Sequence, residues 1–366
     1  MRPLFCRSRL SGPANAVGPL SGKRQEKETR VLPIDPQSAV DRLIDFQKTV
    51  RDLIISSGKS KSLNAVDRAS AADTIYAIDA IVEPVLEDFC RDWARTTPLV
   101  LIAEGIENEH GREGVKIFPD GAREEDAIIR LIVDPIDGTR GIMYDKRPAW
   151  ALAGVAPNKG PDTRLRDIEV AVMTELPTSK MGFADVLWAT KGRGARGKRA
   201  DLSNGTSTEL QFSSSTSPTI NHGFASISNF FPGTKVLASE LMEELVRELI
   251  GPADVTKATV FDDQYISTGG QFYELIVGHD RFNADLRPLF YALQGQPQGM
   301  CCHPYDCATM LIAQEAGVLL TDGSGDPLDG PLDCATGLSW AGFANAALLQ
   351  EIQPLITKFI NSRRRC

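Results

Sequence analysis

The chain has 366 residues, of which 42% are hydrophobic and 24% are charged, and its formal net charge is −8. Such a composition is ordinary for a globular protein with two domains or one large domain. The negative net charge argues against a nucleic-acid polymer as partner, and no apolar run is long enough to span a bilayer.

The first segment of the chain, residues 1–37, differs in composition from the rest. It is rich in Arg, Ser, Gly and Pro, and no acidic residue occurs before Glu26. A basic, acid-poor start of this kind is predicted to be a disordered tail or a mis-assigned start, with an organelle-targeting peptide as the alternative.

Hydrophobic periodicity predicts the elements of the first half. Apolar residues recur at helical spacing over about residues 38–56 and again over 75–89. Short apolar runs predict buried strands over 98–103 and 128–133, and a β-rich stretch follows with strands over 150–155, 168–173 and 186–190. The polar segment 205–218 is interpreted as the neighbourhood of a domain boundary.

The second half alternates between helices and strands. A helix is predicted over 241–249, closed by Gly251-Pro252, and another over 308–316 that starts at Asp306. A strand over 318–321 and a helix over 346–360, with a break or kink at Pro354, complete the pattern. This order predicts an N-terminal α+β domain of residues 38–205 and a C-terminal α/β domain of residues 206–362, with the functional site between them.

Two of the predicted strands end in acidic residues. Glu104 follows the first apolar run, and Asp134 and Asp137 follow the second within the block Asp-Pro-Ile-Asp-Gly-Thr. Strand ends are where ligands gather in α/β architectures. Pro135 stiffens the link between the two aspartates, and Gly138 permits a sharp turn after them.

The chemistry of this block favours a metal site. Two carboxylates held close together repel each other unless a cation lies between them, and Mg²⁺ prefers oxygen ligands together with substrate phosphate oxygens. The Thr139 hydroxyl and the backbone N–H groups after Gly138 would receive an anion. An acidic pair around a turn is by itself more often structural, but the six-residue block is more specific than a turn.

The block from Asp134 to Thr139 resembles the first signature of the inositol monophosphatase superfamily. The stretch from Tyr305 to Gly317 is similar to its second signature, Trp-Asp-x-Ala-Ala-x-x-x-x-x-Glu-Ala-Gly, and Glu104 lies in an Ala-Glu-Gly where the family has Gly-Glu-Glu. The resemblance covers about residues 38–360. It implies a layered αβαβα sandwich of the sugar-phosphatase type, combining α+β and α/β parts.

The resemblance also implies an activity. It is the Mg²⁺-dependent, lithium-sensitive hydrolysis of a small phosphate monoester, an inositol monophosphate or a related sugar phosphate, by metal-activated water. Relatives are often homodimers. Alternatives are fructose-1,6-bisphosphatase or 3′(2′),5′-bisphosphate nucleotidase activity, and, from another class, a non-catalytic homologue that binds anions.

Five positions match metal ligands of the family. Glu104, Asp134 and the backbone carbonyl of Ile136 correspond to ligands of an activating Mg²⁺ ion. Asp134, Asp137 and Asp306 correspond to ligands of a second ion, so that Asp134 bridges the two.

Further roles are predicted for four positions, from the same resemblance and from helix-capping chemistry. Asp73 stands where the family has an acid that supports a third, weaker ion, and an N-cap of the next helix is its alternative role. Glu104 and Thr139 would orient the attacking water beside Asp134. Asp306 would in addition be the N-cap of its own helix.

The substrate side of the pocket is predicted from six positions. Gly138, Thr139 and Arg140 are expected at the phosphate; Arg140 departs from the usual family sequence and would contact the phosphate or an additional anionic group, or else face solvent.

Gly270 and Gln271 lie where the family contacts the sugar or cyclitol, and Asp285 where an acid accepts hydroxyl hydrogen bonds. The link from Asp285 to Asp306 is longer than in the family and is expected near the pocket mouth, so the organic part of the substrate stays open.

Two other sequence features carry less weight. The seven cysteines are odd in number and lack zinc-binding spacing, so we expect reduced thiols in a cytoplasmic protein. The pattern G-x-G-x-x-G over 192–197 follows a strand but precedes no helix, and is interpreted as a basic hairpin loop.

Overall fold

A computed structural model of the chain describes residues 32–57, 66–69, 74–106, 114–252, 254 and 256–364. Most of the predicted N-terminal tail, residues 1–31, lies outside these ranges, and so does Asp73, whose predicted metal or capping role therefore stays a prediction.

The helices of the described residues are α1 (Pro36–Ser57), α2 (Ala77–Ala94), α3 (Thr139–Met143), α4 (Lys235–Leu249), α5 (Thr268–Ile276), α6 (Arg287–Leu293), α7 (Met310–Glu315) and α8 (Ala346–Arg363). Their strands are β1 (Val66–Ala69), β2 (Thr74–Tyr76), β3 (Leu99–Ala103), β4 (Val115–Phe118), β5 (Ile129–Asp137), β6 (Ala149–Pro157), β7 (Val170–Leu176), β8 (Phe183–Thr190), β9 (Ala195–Asp201), β10 (Ser207–Glu209), β11 (Gly223–Ile227), β12 (Val260–Phe261), β13 (Asp280–Asp285), β14 (Leu319–Thr321) and β15 (Trp340–Phe343).

The larger sheet has the strand order β10-β9-β8-β7-β6-β5-β3-β4. Adjacent strands in this sheet are antiparallel, except β3 and β5, which run parallel to each other. Strands β5, β6 and β7 are buried along their whole length. Burial of both faces explains why these strands read as nearly continuous apolar runs in the sequence.

Successive residues of this sheet enter two different cores. Leu99 and Leu101 pack with the buried faces of α1 and α2, whereas Val100 and Ile102 pack in the core that contains α5, α7 and the smaller sheet. This alternation is the period of two expected for a β-strand. The larger sheet is therefore covered by helices on both faces.

The smaller sheet has the order β12-β11-β13-β15-β14, in which β11 runs parallel to both of its neighbours. Helices α5 and α7 contact strands of both sheets, and α4 and α8 contact the smaller sheet and each other. The layers thus follow the order helix, sheet, helix, sheet, helix. This mixed α/β arrangement confirms the predicted αβαβα sandwich.

Three details differ from the predicted elements. Strand β5 continues to Asp137 instead of ending before Asp134. Helix α7 begins at Met310 with Thr309 as its N-cap, so the prediction that Asp306 caps this helix is wrong. The Asp306 carboxylate instead accepts a hydrogen bond from the His303 backbone N–H within a preceding turn.

The other predicted features of the second half are placed as follows. Helix α8 runs through Pro354 without a break, and Ile352 and Ile356 on either side of it are buried. The hairpin of β8 and β9 contains the glycine-rich pattern, as expected. Strand β10 lies just beyond residue 205 and pairs with β9; the division into two domains there stays a prediction.

Two predictions concern the whole chain. The described cysteines, Cys90, Cys301, Cys302, Cys307 and Cys334, form no disulfides. No helix within the described ranges combines the length and the apolar content needed to cross a membrane.

Candidate metal centre

An irregularity in β5 brings Asp134 and Asp137 to one cavity. Asp134 lies opposite Leu152 of β6, and Asp137 lies opposite Trp150. Three steps along β5 therefore match two steps along β6, which is the extra residue of a β-bulge. In a regular strand, residues three apart point to opposite faces. The bulge instead lets both carboxylates line the same cavity.

Asp306 completes an acidic cluster from the other half of the chain. Carboxylate oxygens of Asp134, Asp137 and Asp306 all lie within 4.8 Å of one another. Asp134 and Asp137 are buried, with 2% and 5% of their surface exposed. The three predicted ligands are thus assembled in space although Asp306 is distant in sequence.

Hydrogen bonds orient the carboxylates of Asp134 and Asp137, as the bond from the His303 N–H orients that of Asp306. Asp134 Oδ1 accepts from the Ile136 backbone N–H at 3.0 Å. Asp137 Oδ2 accepts from the Ser267 hydroxyl at 2.8 Å and from the Gly269 backbone N–H at 2.6 Å. A carboxylate has about four acceptor positions, so these contacts fix the carboxylates and leave capacity for a cation.

Glu104, at the end of β3, lines the same cavity. Burial raises the pKa of Asp134 well above its usual range, and the charges of Glu104, Asp137 and Asp306 raise it further. The pKa of Asp306 is raised by desolvation and then by Asp137 and Glu104, and burial raises the pKa of Asp137 to about 6. Such mutual repulsion is what a bound divalent cation removes.

The donor set fits a hard cation. The cluster consists of carboxylate oxygens, which suit Mg²⁺, Ca²⁺ and Mn²⁺ better than softer metals. Ile136, whose carbonyl is a predicted ligand, lines the same cavity, and the Thr139 hydroxyl donates to this carbonyl at 2.8 Å. A carbonyl oxygen has two lone pairs, so the bond from Thr139 does not prevent this oxygen from also binding a metal.

Gly138 is the corner between β5 and α3. Its φ is 95°, in the left-handed region that favours glycine. A Cβ atom there would lie 3.1 Å from the Ile266 carbonyl oxygen and 3.1 Å from Ser267 Cβ. Gly138, Thr139 and Arg140 all line the cavity, where the sequence predicted the phosphate.

The predicted sugar contacts are placed differently. Gly270 and Gln271 are buried inside α5 and are not among the residues that line the cavity. The Gln271 side chain donates to the Ser228 hydroxyl at 3.2 Å. The residues of this segment that do reach the cavity are Ser267 and Thr268.

Asp285 also differs from its predicted role as a substrate contact. It is 1% exposed, both its carboxylate oxygens accept from the Arg287 guanidinium, and it is not among the cavity-lining residues. Arg287 itself does line the cavity, beside Phe230 and Phe231.

Sequence reasoning did not single out Ser267, Arg287 or the two phenylalanines. Ser267 directly before the helix-forming stretch is an N-cap signal that was available. Phe230 and Phe231 have no periodic pattern that points to a pocket, because a loop places them there.

No protein-family model matches the chain, and no curated protein matches its sequence. Solved structures do match. The chain is 16% identical to the IMPase of Thermotoga maritima, with a TM-score of 0.56, over 89% of this chain and 99% of that one. It is 14% identical to fructose-1,6-bisphosphatase of Leishmania major in holo form, with a TM-score of 0.62, over 89% and 96%.

The extragenic suppressor protein suhB from Bartonella henselae is 14% identical, with a TM-score of 0.58, over 88% of this chain and 99% of that one. These similarities show that the chain has the layered sandwich fold of the inositol monophosphatase and fructose-1,6-bisphosphatase structures. They confirm the resemblance at the level of fold.

Proposed function

We propose that this protein is a Mg²⁺-dependent phosphatase that hydrolyses a small phosphate monoester, an inositol monophosphate or a related sugar phosphate. The observation that carries the proposal is the cluster of Asp134, Asp137 and Asp306 oxygens within 4.8 Å, in a cavity that Glu104 and Thr139 also line. Similarity in fold to known phosphatases supports it. A purely structural role would not account for several acids crowded into one cavity with raised pKa values.

Glu104, Asp134, Asp137, Asp306 and the carbonyl of Ile136 would hold two Mg²⁺ ions, and Asp73 would support a third. Bound Mg²⁺ supplies positive charge that attracts a phosphate to an acidic protein and makes a bound water a stronger acid. The formal net charge of −8 makes such local compensation necessary for an anionic substrate.

The remaining chemistry belongs to the chain itself. The Glu104 carboxylate would accept the proton of the attacking water, and the Thr139 Oγ, fixed by its bond to the Ile136 carbonyl, would accept a second hydrogen bond that orients this water. Arg140 would donate to phosphate oxygens beside Gly138 and Thr139. Water attacks phosphorus, the ester bond breaks, and the leaving oxygen takes up a proton.

A second candidate within the same chemistry is the hydrolysis of fructose 1,6-bisphosphate or of a 3′(2′),5′-bisphosphate nucleotide. The similarity to the Leishmania major fructose-1,6-bisphosphatase favours it. Homodimer formation and lithium sensitivity belong to the same proposal.

The test is phosphate release from a panel of inositol, sugar and nucleotide phosphates, with Mg²⁺ and with EDTA. We expect turnover that requires Mg²⁺, is inhibited by Li⁺ and is lost in Asp134→Asn and Asp306→Asn. Wild-type protein that binds phosphate in the presence of Mg²⁺ but releases none from any ester would instead be the non-catalytic anion-binding homologue.

A further inference from the structure

One wall of the candidate site is aromatic and basic. Phe230, Phe231, Arg140 and Arg287 line the cavity together with the acids. The two phenylalanine rings meet edge to face, with centroids 5.1 Å apart and an interplanar angle of 87°. The cavity therefore combines an acidic part with a part that carries guanidinium groups.

Arg287 is held in a single orientation. Its Nε donates to Asp285 Oδ1 at 2.9 Å and Oδ2 at 3.0 Å, its Nη2 donates to Oδ2, and its Nη1 donates to the Met300 carbonyl at 3.1 Å. Paired contacts of this kind fix the plane of a guanidinium. They use three of its five N–H groups, so one N–H on each Nη is left for a ligand.

The pair of Arg287 and Asp285 is buried, and only one of the two residues lines the cavity. The Arg287 and Asp285 side chains are 6% and 1% exposed. Arg287 lines the cavity and Asp285 does not. A ligand in this cavity therefore meets a hydrogen-bond donor, in the place where the resemblance predicted the carboxylate of Asp285 as an acceptor for hydroxyl groups.

The aromatic rings also contact a second guanidinium, that of Arg140. The Arg287 Cζ lies 4.7 Å from the Phe230 centroid and 5.4 Å from the Phe231 centroid, and the Arg140 Cζ lies 5.3 Å from the same Phe231 centroid. Cation–π contacts at these distances are attractive. Phe231 thus contacts both arginines that line the cavity.

We propose that Arg287 is a specificity-determining residue that binds a second anionic group of the substrate, a phosphate or a carboxylate, with Arg140 beside it. This inference rests on the proposed phosphatase function and narrows its substrate class. A rigid guanidinium matches the geometry of phosphate and carboxylate. The two N–H groups that Asp285 and Met300 leave unused belong to a charged guanidinium, so an anionic group accepts stronger hydrogen bonds from them than a hydroxyl group does.

The test compares substrates that differ only in the second anion. One arm uses a hexose bisphosphate and the corresponding hexose monophosphate, and the other uses a phosphorylated hydroxy acid and the phosphorylated diol of the same skeleton. The measured quantity is the ratio of kcat/KM within each pair. We expect the wild type to favour the substrate with the second anion, and the arm with the larger ratio shows whether that anion is phosphate or carboxylate.

The variant is the double substitution Asp285→Asn with Arg287→Gln. Arg287→Gln alone would leave Asp285 buried without its partner, which destabilises a fold strongly. We expect the double variant to lose the preference by about 10- to 100-fold, the effect of removing hydrogen bonds to a charged group.

The chain offers a matched control in Asp185 and Arg199, which form a bidentate pair at 2.7 Å and 2.7 Å outside the cavity. Asp185→Asn with Arg199→Gln should keep the wild-type ratio. A ratio unchanged in the Asp285→Asn, Arg287→Gln variant while turnover still needs Mg²⁺ would overturn the inference and leave the phosphatase proposal standing.

A binding experiment decides the matter if the wild type hydrolyses none of these esters. Inorganic phosphate is added to the protein in EDTA, and the melting temperature is measured. Without a metal, the carboxylates of Asp134, Asp137 and Asp306 repel phosphate from their part of the cavity. Stabilisation that disappears in the Asp285→Asn, Arg287→Gln variant supports an anion site at Arg287. Absence of stabilisation in the wild type overturns it.

Discussion

Asp134 and Asp137 lie three residues apart in one strand and nevertheless present their carboxylates to the same cavity, because β5 has one more residue than β6 between their pairing positions. The bulge concentrates negative charge where the protein interior excludes water. This arrangement disfavours the metal-free fold. Neutralising an acid of this cluster should therefore raise the melting temperature of the metal-free protein, whereas neutralising a structural acid elsewhere should lower it.

Neutralising Asp134 separates function from stability. We expect Asp134→Asn to lower Mg²⁺-dependent kcat/KM by more than about 100-fold, since even the loss of a group that supports a metal ligand costs about 10- to 100-fold. In EDTA we expect the same variant to melt about 2–4 °C higher, because one repelling charge is gone. Phosphate release and differential scanning calorimetry measure the two effects.

The control for this variant is Asp185→Asn, which neutralises a buried aspartate that is paired with Arg199. Here we expect a lower melting temperature in EDTA, because the substitution removes the charge that pairs with the half-exposed Arg199 and weakens a charge-assisted hydrogen bond. If Asp134→Asn also melted lower than the wild type, Asp134 would be a structural acid.

Mg²⁺ itself should stabilise the fold. A ligand at a hundred times its Kd stabilises the native state by about 2.7 kcal/mol, so we expect the wild-type melting temperature to rise as Mg²⁺ is added. Asp306→Asn should lose most of this rise. Asp280→Asn, which changes a buried aspartate outside the cavity, should keep it. An equal rise in both variants would place Mg²⁺ binding away from the cluster.

Gly138 lines the cavity and has a left-handed backbone conformation. We expect Gly138→Ala to cost more stability than Gly192→Ala, although both glycines have positive φ values, 95° and 74°. An added Cβ at Gly192 meets nothing within 4 Å, whereas at Gly138 it crowds Ile266 and Ser267 at 3.1 Å. The Gly192 variant measures the cost of the left-handed backbone alone, about 1–2 kcal/mol.

Activity provides the second readout for the glycine pair. Ser267 donates to Asp137, so displacing Ser267 disturbs a proposed metal ligand, and Gly138→Ala should lower kcat/KM while Gly192→Ala should not. Urea unfolding and phosphate release measure the two variants. Equal losses of stability in both, with unchanged activity, would show that the contact with Ser267 is unimportant.

Much of the fold was predictable because its signals are local. The continuous apolar runs over 128–133 and 150–155 correspond to β5 and β6, which are buried on both faces. The block from Asp134 to Thr139 identified the cluster through the resemblance. The bulge was not predictable from residue spacing, since it is defined by the pairing of β5 with β6.

The misplaced predictions have tertiary causes. Asp306 does not cap α7, because its carboxylate accepts from the His303 N–H one turn earlier. Asp285 does not reach the cavity, because Arg287, two residues on, occupies both its oxygens. Neither choice of partner is visible in the sequence, where a capping aspartate and an ion-paired aspartate look alike.

Glu175 provides a prediction away from the site. Burial raises its pKa from 4.5 to about 7, although the Asp185 backbone N–H donates to it at 3.0 Å. Between these pH values the folded protein holds a proton that the unfolded chain releases, so the free energy of unfolding falls as pH rises. The contribution is at most about 3 kcal/mol. We expect Glu175→Gln to lose this part of the pH dependence between pH 5 and pH 8.

The measurement is urea unfolding of the wild type and Glu175→Gln at both pH values, with Mg²⁺ in excess so that the cavity acids contribute equally to the two proteins. Glu209→Gln, which changes an exposed strand residue, is the matched control and should follow the wild type. Glutamine cannot ionise. The free energy of unfolding of the variant, relative to that of the wild type, should therefore be higher at pH 8 than at pH 5. A difference between wild type and variant that stays constant with pH would mean that the Glu175 carboxylate ionises in the folded protein as readily as in the unfolded chain.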